Sequence, residues 1–195
     1  EQAWRLEPDW LPARLALAET QQASGYGKLA VKRVEKFWET SPHPELGALY
    51  RRYYAALPPL KQFRRVEQLT ARAPHHPVSL ILLAEAAMEA ELWGEARRHL
   101  QRAAELAPTR QVYGMLAALA VQDGHDQKAA LDYWRRAAGA YAEAAWRCRH
   151  CGHQPPQWEI ACPSCGRMAG IDWFDSYAAA PEPIPALAIT AKELS

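Results

Sequence analysis

The fold of this chain is decided by residues 77–108, which read PVSLILLAEAAMEAELWGEARRHLQRAAELAP. Two stretches rich in alanine and leucine lie on either side of a turn at Leu92-Trp93-Gly94. Small residues at Ala84 and Ala96 suit a place where two helices cross closely, and Leu100 is large enough to fill the gap to a neighbouring element. The segment therefore predicts two packed helices joined by a short turn.

The same pattern recurs along the chain. Proline follows a helix-like stretch at Pro8, Pro42, Pro74 and Pro108, at intervals of 34, 32 and 34 residues. A period near 34 is typical of tetratricopeptide repeats, in which each unit is a helical hairpin that cannot bury its apolar face alone. We therefore predict an all-α solenoid of about four tetratricopeptide-type hairpins over residues 1–145.

One unit fits this pattern poorly. Between His43 and Pro74 the chain has Gln62 where the other units have a small residue, and Pro58-Pro59 lies at its turn. We still predict two helices in this unit, joined by an altered turn.

All four cysteines fall in a second, shorter region, which we predict over residues 146–174. They form two CxxC pairs, Cys148/Cys151 and Cys162/Cys165, and a glycine directly follows each pair. Two such turns supply four thiolates to one tetrahedral ion. A segment this short cannot bury a core of its own, so it needs a bound metal or a cross-link to be stable. We predict a structural zinc ribbon. Iron is the alternative metal, because four sulfur ligands also suit it. Two disulfides or free thiols are the alternatives without a metal.

Five apolar residues of this region are expected to pack around the metal or against the last helix pair: Trp146, Trp158, Ile160, Ile171 and Trp173. Residues 175–195 contain three prolines and show neither a helical nor a strand period, so we predict a disordered tail.

The composition and the motifs exclude several functions. Apolar residues make up 49% of the chain and charged residues 23%, as in soluble globular proteins. The net charge of +1, with both signs mixed, gives no electrostatic case for binding nucleic acid. No catalytic motif is present, and a closed four-sulfur site leaves no open coordination position for catalysis. We predict that the chain is not an enzyme.

The first helices of the hairpins are predicted to line a concave groove that binds other proteins. A mixed apolar and acidic lining suits a helix or an extended peptide. The candidate groove residues are Leu15, Glu19 and Gln22 in the first unit, Ile81, Glu85 and Met88 in the third, and Met115, Leu119 and Gln122 in the fourth.

Two other features have competing interpretations. His75-His76 could ligate haem iron or another metal, but a polar turn between repeats is the more ordinary interpretation. Basic doublets on the second helices could face an acidic lipid or partner, although nearby acidic residues favour a solvated face. The doublets are Lys32-Arg33, Arg64-Arg65, Arg97-Arg98 and Arg135-Arg136.

Several runs resemble the HemY family of the alphaproteobacterial type, over most of residues 1–174. They are RVEQLTARAPHHP (65–77), LWGEARRHL (92–100), WRCRHCG (146–152), CPSCG (162–166) and IDW (171–173). The resemblance implies a protein of the bacterial inner membrane whose repeats face the cytoplasm. Its transmembrane anchor would precede Glu1, since the first residues read as the end of a helix. The family also implies a scaffold or regulator for enzymes of late haem biosynthesis.

The order of repeats and cysteines is also similar to LapB, an adaptor in lipopolysaccharide control that carries a rubredoxin-like metal knuckle. The cysteine region does not separate the two families, but the stretch from Leu92 to Arg97 favours HemY. A carrier of haem or porphyrin is a further alternative.

Overall fold

The computed structural model describes residues 7 and 9–175 of the protein. These residues form eight helices followed by two short strands. The chain divides between Ala140 and Tyr141 into two compact units, one holding the helices and the other the strands. The helices are α1 (Leu11–Ala23), α2 (Gly27–Trp38), α3 (Pro44–Tyr53), α4 (Pro59–Thr70), α5 (Pro77–Glu89), α6 (Trp93–Leu106), α7 (Arg110–Gly124) and α8 (Gln127–Ala138).

The helices form a stack of four hairpins. Each odd-numbered helix packs against the helix that follows it, and consecutive hairpins pack through α2 on α3, α4 on α5 and α6 on α7. The two small residues that the sequence analysis singled out, Ala84 and Ala96, are fully buried. Alanines of the first and fourth hairpins are buried as well: Ala18, Ala30, Ala117 and Ala130. The predicted fold of tetratricopeptide-type hairpins is confirmed.

Proline marks where helices begin. Pro44, Pro59 and Pro77 each open a helix, at the position where the missing N–H has no intrahelical partner to lose. The prolines of the repeat period, Pro42 and Pro74, precede Pro44 and Pro77 by two and three residues, so the period follows the helix boundaries.

The second hairpin has the altered turn that its sequence predicts. Five residues separate Tyr53 at the end of α3 from Pro59 at the start of α4. The side-chain amide of Gln62 donates hydrogen bonds to the carbonyl oxygens of Ala55 and Leu57, at 3.2 and 2.7 Å. Gln62 replaces a small residue in the pattern because it satisfies the carbonyl groups of this longer turn.

Trp38, on the first hairpin, contacts both the second and the third hairpin. Its side chain is fully buried, and its indole N–H donates to the Ser79 hydroxyl at 2.9 Å. Gly47 on α3 faces the same ring, since a β-carbon there would lie 3.3 Å from Trp38. One side chain at the end of α2 thus contacts both α3 and α5.

Arginines form ion pairs between hairpins. Arg72, just after α4, donates to Glu35 at 3.1 Å and to Glu39 at 2.9 Å. Arg97 on α6 pairs with Asp123 on α7. These contacts join neighbouring hairpins at the surface, where each pair contributes about 0.2–1 kcal/mol.

Most of the basic doublets on the second helices also have carboxylate partners. Arg64 pairs with Glu67 on α4, Arg98 with Glu95 on α6, and Arg136 with Asp132 on α8. The doublets of α4, α6 and α8 therefore carry local countercharges, which favours the interpretation of a solvated face.

Of the two histidines between α4 and α5, His76 has a structural role. His76 caps α5, and its Nδ1 accepts the N–H of Val78 at 3.2 Å. His75 is exposed in the preceding turn. The turn interpretation accounts for both residues.

His43 makes the helical unit sensitive to acid. The residue is 2% exposed, and its Nδ1 accepts the N–H of Glu45 at 3.3 Å to cap α3. Burial lowers the pKa of His43 from 6.5 to about 4. As the pH falls from 6.5 to about 4, the unfolded chain binds a proton that the folded chain does not, so the free energy of unfolding decreases. Well above pH 6.5 the imidazole is neutral in both states, and the effect vanishes. The pKa difference corresponds to about 3 kcal/mol.

The variant His43→Asn separates this titration from the capping role, because asparagine also caps helices but does not titrate. We expect urea unfolding to show that the wild type loses about 3 kcal/mol more than the variant between neutral pH and about pH 4. Parallel pH profiles for the two proteins would rule out His43 as the group responsible.

Among the described helices, none combines the length and the apolar character that crossing a bilayer requires. The predicted disordered tail lies outside the described residues except for Asp175.

Candidate metal centre and partner groove

The second unit is built on a two-stranded antiparallel ribbon. Strand β1 (Ala145–Cys148) pairs with β2 (Ile171–Phe174), with Trp146 opposite Trp173 and Cys148 opposite Ile171. Ala145, placed at the end of the helical region by the sequence analysis, pairs with Phe174 in this ribbon. The ribbon therefore holds Cys148 beside Ile171, the first residue of β2.

Two turns of the same geometry carry the cysteine pairs. In the first, the N–H of Gly152 donates to the Cys148 carbonyl at 2.9 Å. In the second, the N–H of Gly166 donates to the Cys162 carbonyl at 2.8 Å. The φ angles of the two glycines are 74° and 70°, a region that other residues rarely adopt. This explains why a glycine directly follows each CxxC pair.

The four sulfur atoms converge. All lie within 4.8 Å of one another, with Sγ–Sγ distances of 3.8 Å for Cys148 and Cys165 and 3.6 Å for Cys151 and Cys162. A tetrahedron with metal–sulfur bonds of about 2.3 Å has edges of about 3.8 Å. The thiols are not joined in disulfides. The four cysteines can therefore hold one metal ion.

The two turns bury their cysteines unequally. Cys148 and Cys162, the first of each pair, are 1% and 2% exposed, while Cys151 and Cys165 are exposed. The backbone N–H groups of Cys151 and His150 lower the pKa of Cys148 to about 7. The N–H of Arg167 lowers the pKa of Cys165, but burial and the three neighbouring thiols together raise it to about 11. The neighbouring thiols therefore favour the ionisation of Cys148 and oppose that of Cys165. A divalent cation would supply the positive charge that four thiolates need.

Aromatic residues support the centre. Trp146 is 2% exposed and packs edge-on against Trp173, with ring centroids 5.2 Å apart. The indole N–H of Trp158 donates to the carbonyl of Ile171, which is itself buried. One of the five predicted packing residues is wrong: Ile160 is 61% exposed. It precedes the bridge between Ala161 and Met168, and its side chain points into solvent rather than toward the centre.

Sequence reasoning missed Gly170. A β-carbon at this position would lie 2.9 Å from the imidazole of His150 and 3.7 Å from the sulfur of Cys148. The first CxxC turn therefore packs directly on the backbone before β2. In the sequence, the only signal for this contact is a glycine directly before the Ile171-Asp172-Trp173 run.

The predicted groove residues divide into two groups. Glu19 and Gln122 are exposed, while Gln22, Ile81, Glu85, Met88 and Met115 are half-buried. Leu15 and Leu119 are 5% and 1% exposed. Since a buried side chain offers no surface to a partner, Leu15 and Leu119 belong to the hairpin core.

The sequence analysis also missed Arg51 on α3, which contacts a predicted groove residue. Its guanidinium contacts Glu85 at 3.3 Å and also Glu89, both on α5. Burial raises the pKa of the Glu85 carboxyl, an effect that Arg51 opposes. Arg51 precedes Glu85 by 34 residues, so opposite charges one repeat apart are the signal that identifies this pair. The positive charge of Arg51 thus neutralises part of the negative charge of the predicted groove lining.

No protein-family profile matches the chain. Over 114 residues it is 34% identical to Mms48, a probable magnetosome protein of Magnetospirillum gryphiswaldense. This match covers 58% of the chain and 25% of that protein, so the chain spans about a quarter of the length of its curated relative.

Two solved structures are similar to the chain. A thermophilic TPR protein of Thermus thermophilus, TTC0263, superposes with a TM-score of 0.51 at 17% identity, covering 72% of this chain and 78% of that one. MamA superposes with a TM-score of 0.48 at 13% identity, covering 71% and 82%. The first of these similarities identifies the helical unit as tetratricopeptide-like in fold.

Proposed function

We propose that the chain is a non-catalytic scaffold that binds other proteins through the groove of its hairpin stack and is stabilised by a structural zinc ion. The observation that carries the scaffold role is the row of exposed and half-buried side chains on the first helices, from Glu19 on α1 to Gln122 on α7. Stacked hairpins of this kind offer a continuous surface to a helix or an extended peptide.

The metal that we propose is zinc. Four cysteine ligands in two CxxC turns, at sulfur–sulfur distances of 3.6 and 3.8 Å, suit a closed tetrahedral site whose role is structural. Iron in the same four-sulfur geometry is the alternative. The residues that hold the ion are Cys148, Cys151, Cys162 and Cys165.

Two cellular settings are compatible with a scaffold. The resemblance to HemY proteins suggests the cytoplasmic face of a bacterial inner membrane and the enzymes of late haem biosynthesis. The identity with Mms48, described as a probable magnetosome protein, suggests a magnetosome. We propose the first setting on the HemY resemblance, with the magnetosome setting, the lipopolysaccharide role of LapB and the carriage of haem as alternatives.

Site-specific photo-crosslinking tests the groove. A photoreactive amino acid is placed at Glu19 or Gln122, which are exposed on first helices, in the protein expressed in its native host. Matched positions are Lys61 and Lys128, which are exposed on second helices. We expect both groove positions to give adducts with the same protein, because a segment lying along the groove contacts α1 and α7 together.

Mass spectrometry of the adducts then identifies the setting. Enzymes of terminal haem synthesis support the first setting, and magnetosome proteins support the second. Adducts formed only from Lys61 and Lys128 would reject the groove as the binding surface.

A further inference from the structure

Three lysines form one face of α2. Lys28, Lys32 and Lys36 follow one another at intervals of four residues, so their side chains project from successive turns on one side of the helix. All three are exposed. We call these residues the lysine face.

The carboxylates nearest to the lysine face in sequence are engaged elsewhere. Glu35 and Glu39 lie three residues after Lys32 and Lys36, a spacing at which helical ion pairs form. Both carboxylates instead accept hydrogen bonds from Arg72 of the next hairpin. Within the described part of the chain, no carboxylate pairs with any lysine of this face.

This arrangement differs from the other second helices. Each of α4, α6 and α8 has at least one arginine that pairs with an acidic residue three or four positions away on the same helix: Arg64, Arg98, Arg102 and Arg136. On α2 the cross-hairpin contact of Arg72 leaves positive charge without a carboxylate partner among residues 9–175. The lysine face is therefore a local concentration of charge in a chain whose net charge is only +1.

An apolar cleft adjoins the N-terminal end of the lysine face. It has a volume of about 560 Å³ and is lined by Gln22, Gly25, Tyr26, Gly27, Lys28, Leu29 and Tyr53. Tyr26 is 65% exposed and Leu29 is 44% exposed, although both are apolar enough to favour burial. Gly27 lets the Tyr53 ring close one side, since a β-carbon there would lie 2.4 Å from the ring.

We propose that the cleft and the lysine face together bind an acidic segment of a partner protein. One aromatic or aliphatic side chain of the segment enters the cleft between Tyr26, Leu29 and Tyr53. Its carboxylates lie along Lys28, Lys32 and Lys36. The apolar contact supplies the anchor, and the complementary charges fix the direction and speed the association.

A peptide fits this surface better than an anionic membrane does. The apolar residues line a concave cleft at one end of the charged face, which accommodates a single side chain. A helix that lies on a membrane instead needs a continuous apolar face along its length. The lysine face lies on a second helix, and the cleft shares one residue, Gln22, with the predicted groove. The proposal rests on Tyr26, Leu29, Tyr53 and the three lysines, none of which is assigned to the groove.

Fluorescence anisotropy with a synthetic peptide tests the proposal. The probe is a labelled peptide with one central tryptophan flanked by glutamates, titrated with the full chain. We expect saturable binding that weakens with salt and falls about tenfold or more in the variant Lys28→Glu/Lys32→Glu/Lys36→Glu. The matched variant Lys61→Glu/Arg110→Glu/Lys128→Glu changes the charge equally at exposed positions on other helices and should bind as the wild type does.

A glycine pair tests the cleft. Gly27→Ala pushes against the Tyr53 ring and should weaken binding several-fold, whereas Gly94→Ala in the first turn of α6 meets open space and should not. A peptide without the tryptophan should bind more weakly than the probe. Equal loss in the two charge variants, equal binding of the two peptides, or binding only to phosphatidylglycerol vesicles would each overturn the proposal.

Discussion

Replacing Cys148 by serine is expected to abolish metal binding and unfold the ribbon. A serine hydroxyl does not replace a thiolate ligand, and Cys148 is the buried cysteine that also belongs to β1. Structural zinc contributes about 10–16 kcal/mol in small peptides of this kind. Between Tyr141 and Asp175 the chain buries too few apolar residues to compensate. Elemental analysis should find one zinc per wild-type chain and none in the variant, and the near-ultraviolet signal of the packed Trp146 and Trp173 should disappear.

Ser164→Ala is the matched control for this change. Ser164 lies between Cys162 and Cys165 and is exposed, so its hydroxyl is not among the ligands. This variant should keep its full metal content and its aromatic signal. Undiminished metal in Cys148→Ser would contradict a four-cysteine site, and iron in place of zinc would correct the identity of the ion.

Replacing Trp38 by alanine is expected to destabilise the helical unit by about 3–5 kcal/mol, the usual cost of truncating a buried tryptophan. The ring is fully buried, and its loss opens a cavity beside Gly47 on α3 and Leu82 on α5. The change also removes the indole N–H that donates to the buried Ser79 hydroxyl. Urea unfolding followed by far-ultraviolet circular dichroism measures the free energy.

Trp134 provides the comparison for Trp38, because it is also a helical tryptophan but is 55% exposed. Trp134→Ala should cost far less, within about 1 kcal/mol, as is usual for a surface change. Similar losses in the two variants would mean that Trp38 does not link the hairpins as its contacts indicate.

Most of the fold could be predicted from the repeat period, because the period reflects where helices begin and where they cross. Small residues such as Ala84 and Ala96 are required wherever two helices approach closely, so their spacing survives in the sequence as a pattern. Gln62 broke that pattern, and only the coordinates reveal that its amide bonds the carbonyl groups of a longer turn. A deviation from a repeat does not by itself tell which local need caused it.

The predicted groove residues agree with the structure less well than the predicted metal ligands do. A metal ligand is recognised by residue type and spacing, and four cysteines in two turns have few other uses. A groove residue is recognised by the direction in which its side chain points. That direction depends on how each helix is rotated about its axis, which residue spacing alone predicts poorly. Leu15 and Leu119, both predicted to line the groove, are buried. Charge pairs between hairpins, such as Arg51 with Glu85, also depend on how the hairpins stack.

The sequence alone determined that the chain is a row of helical hairpins followed by a four-cysteine segment, because both features follow from local spacing. Only the tertiary structure decided which side chains face solvent and which carboxylate each basic residue meets. The contact of Arg72 with Glu35 and Glu39 joins residues more than thirty positions apart. That contact leaves the lysines of α2 without carboxylate partners in the described part of the chain. No local pattern in the sequence could have predicted it, since it arises from the packing of one hairpin on the next.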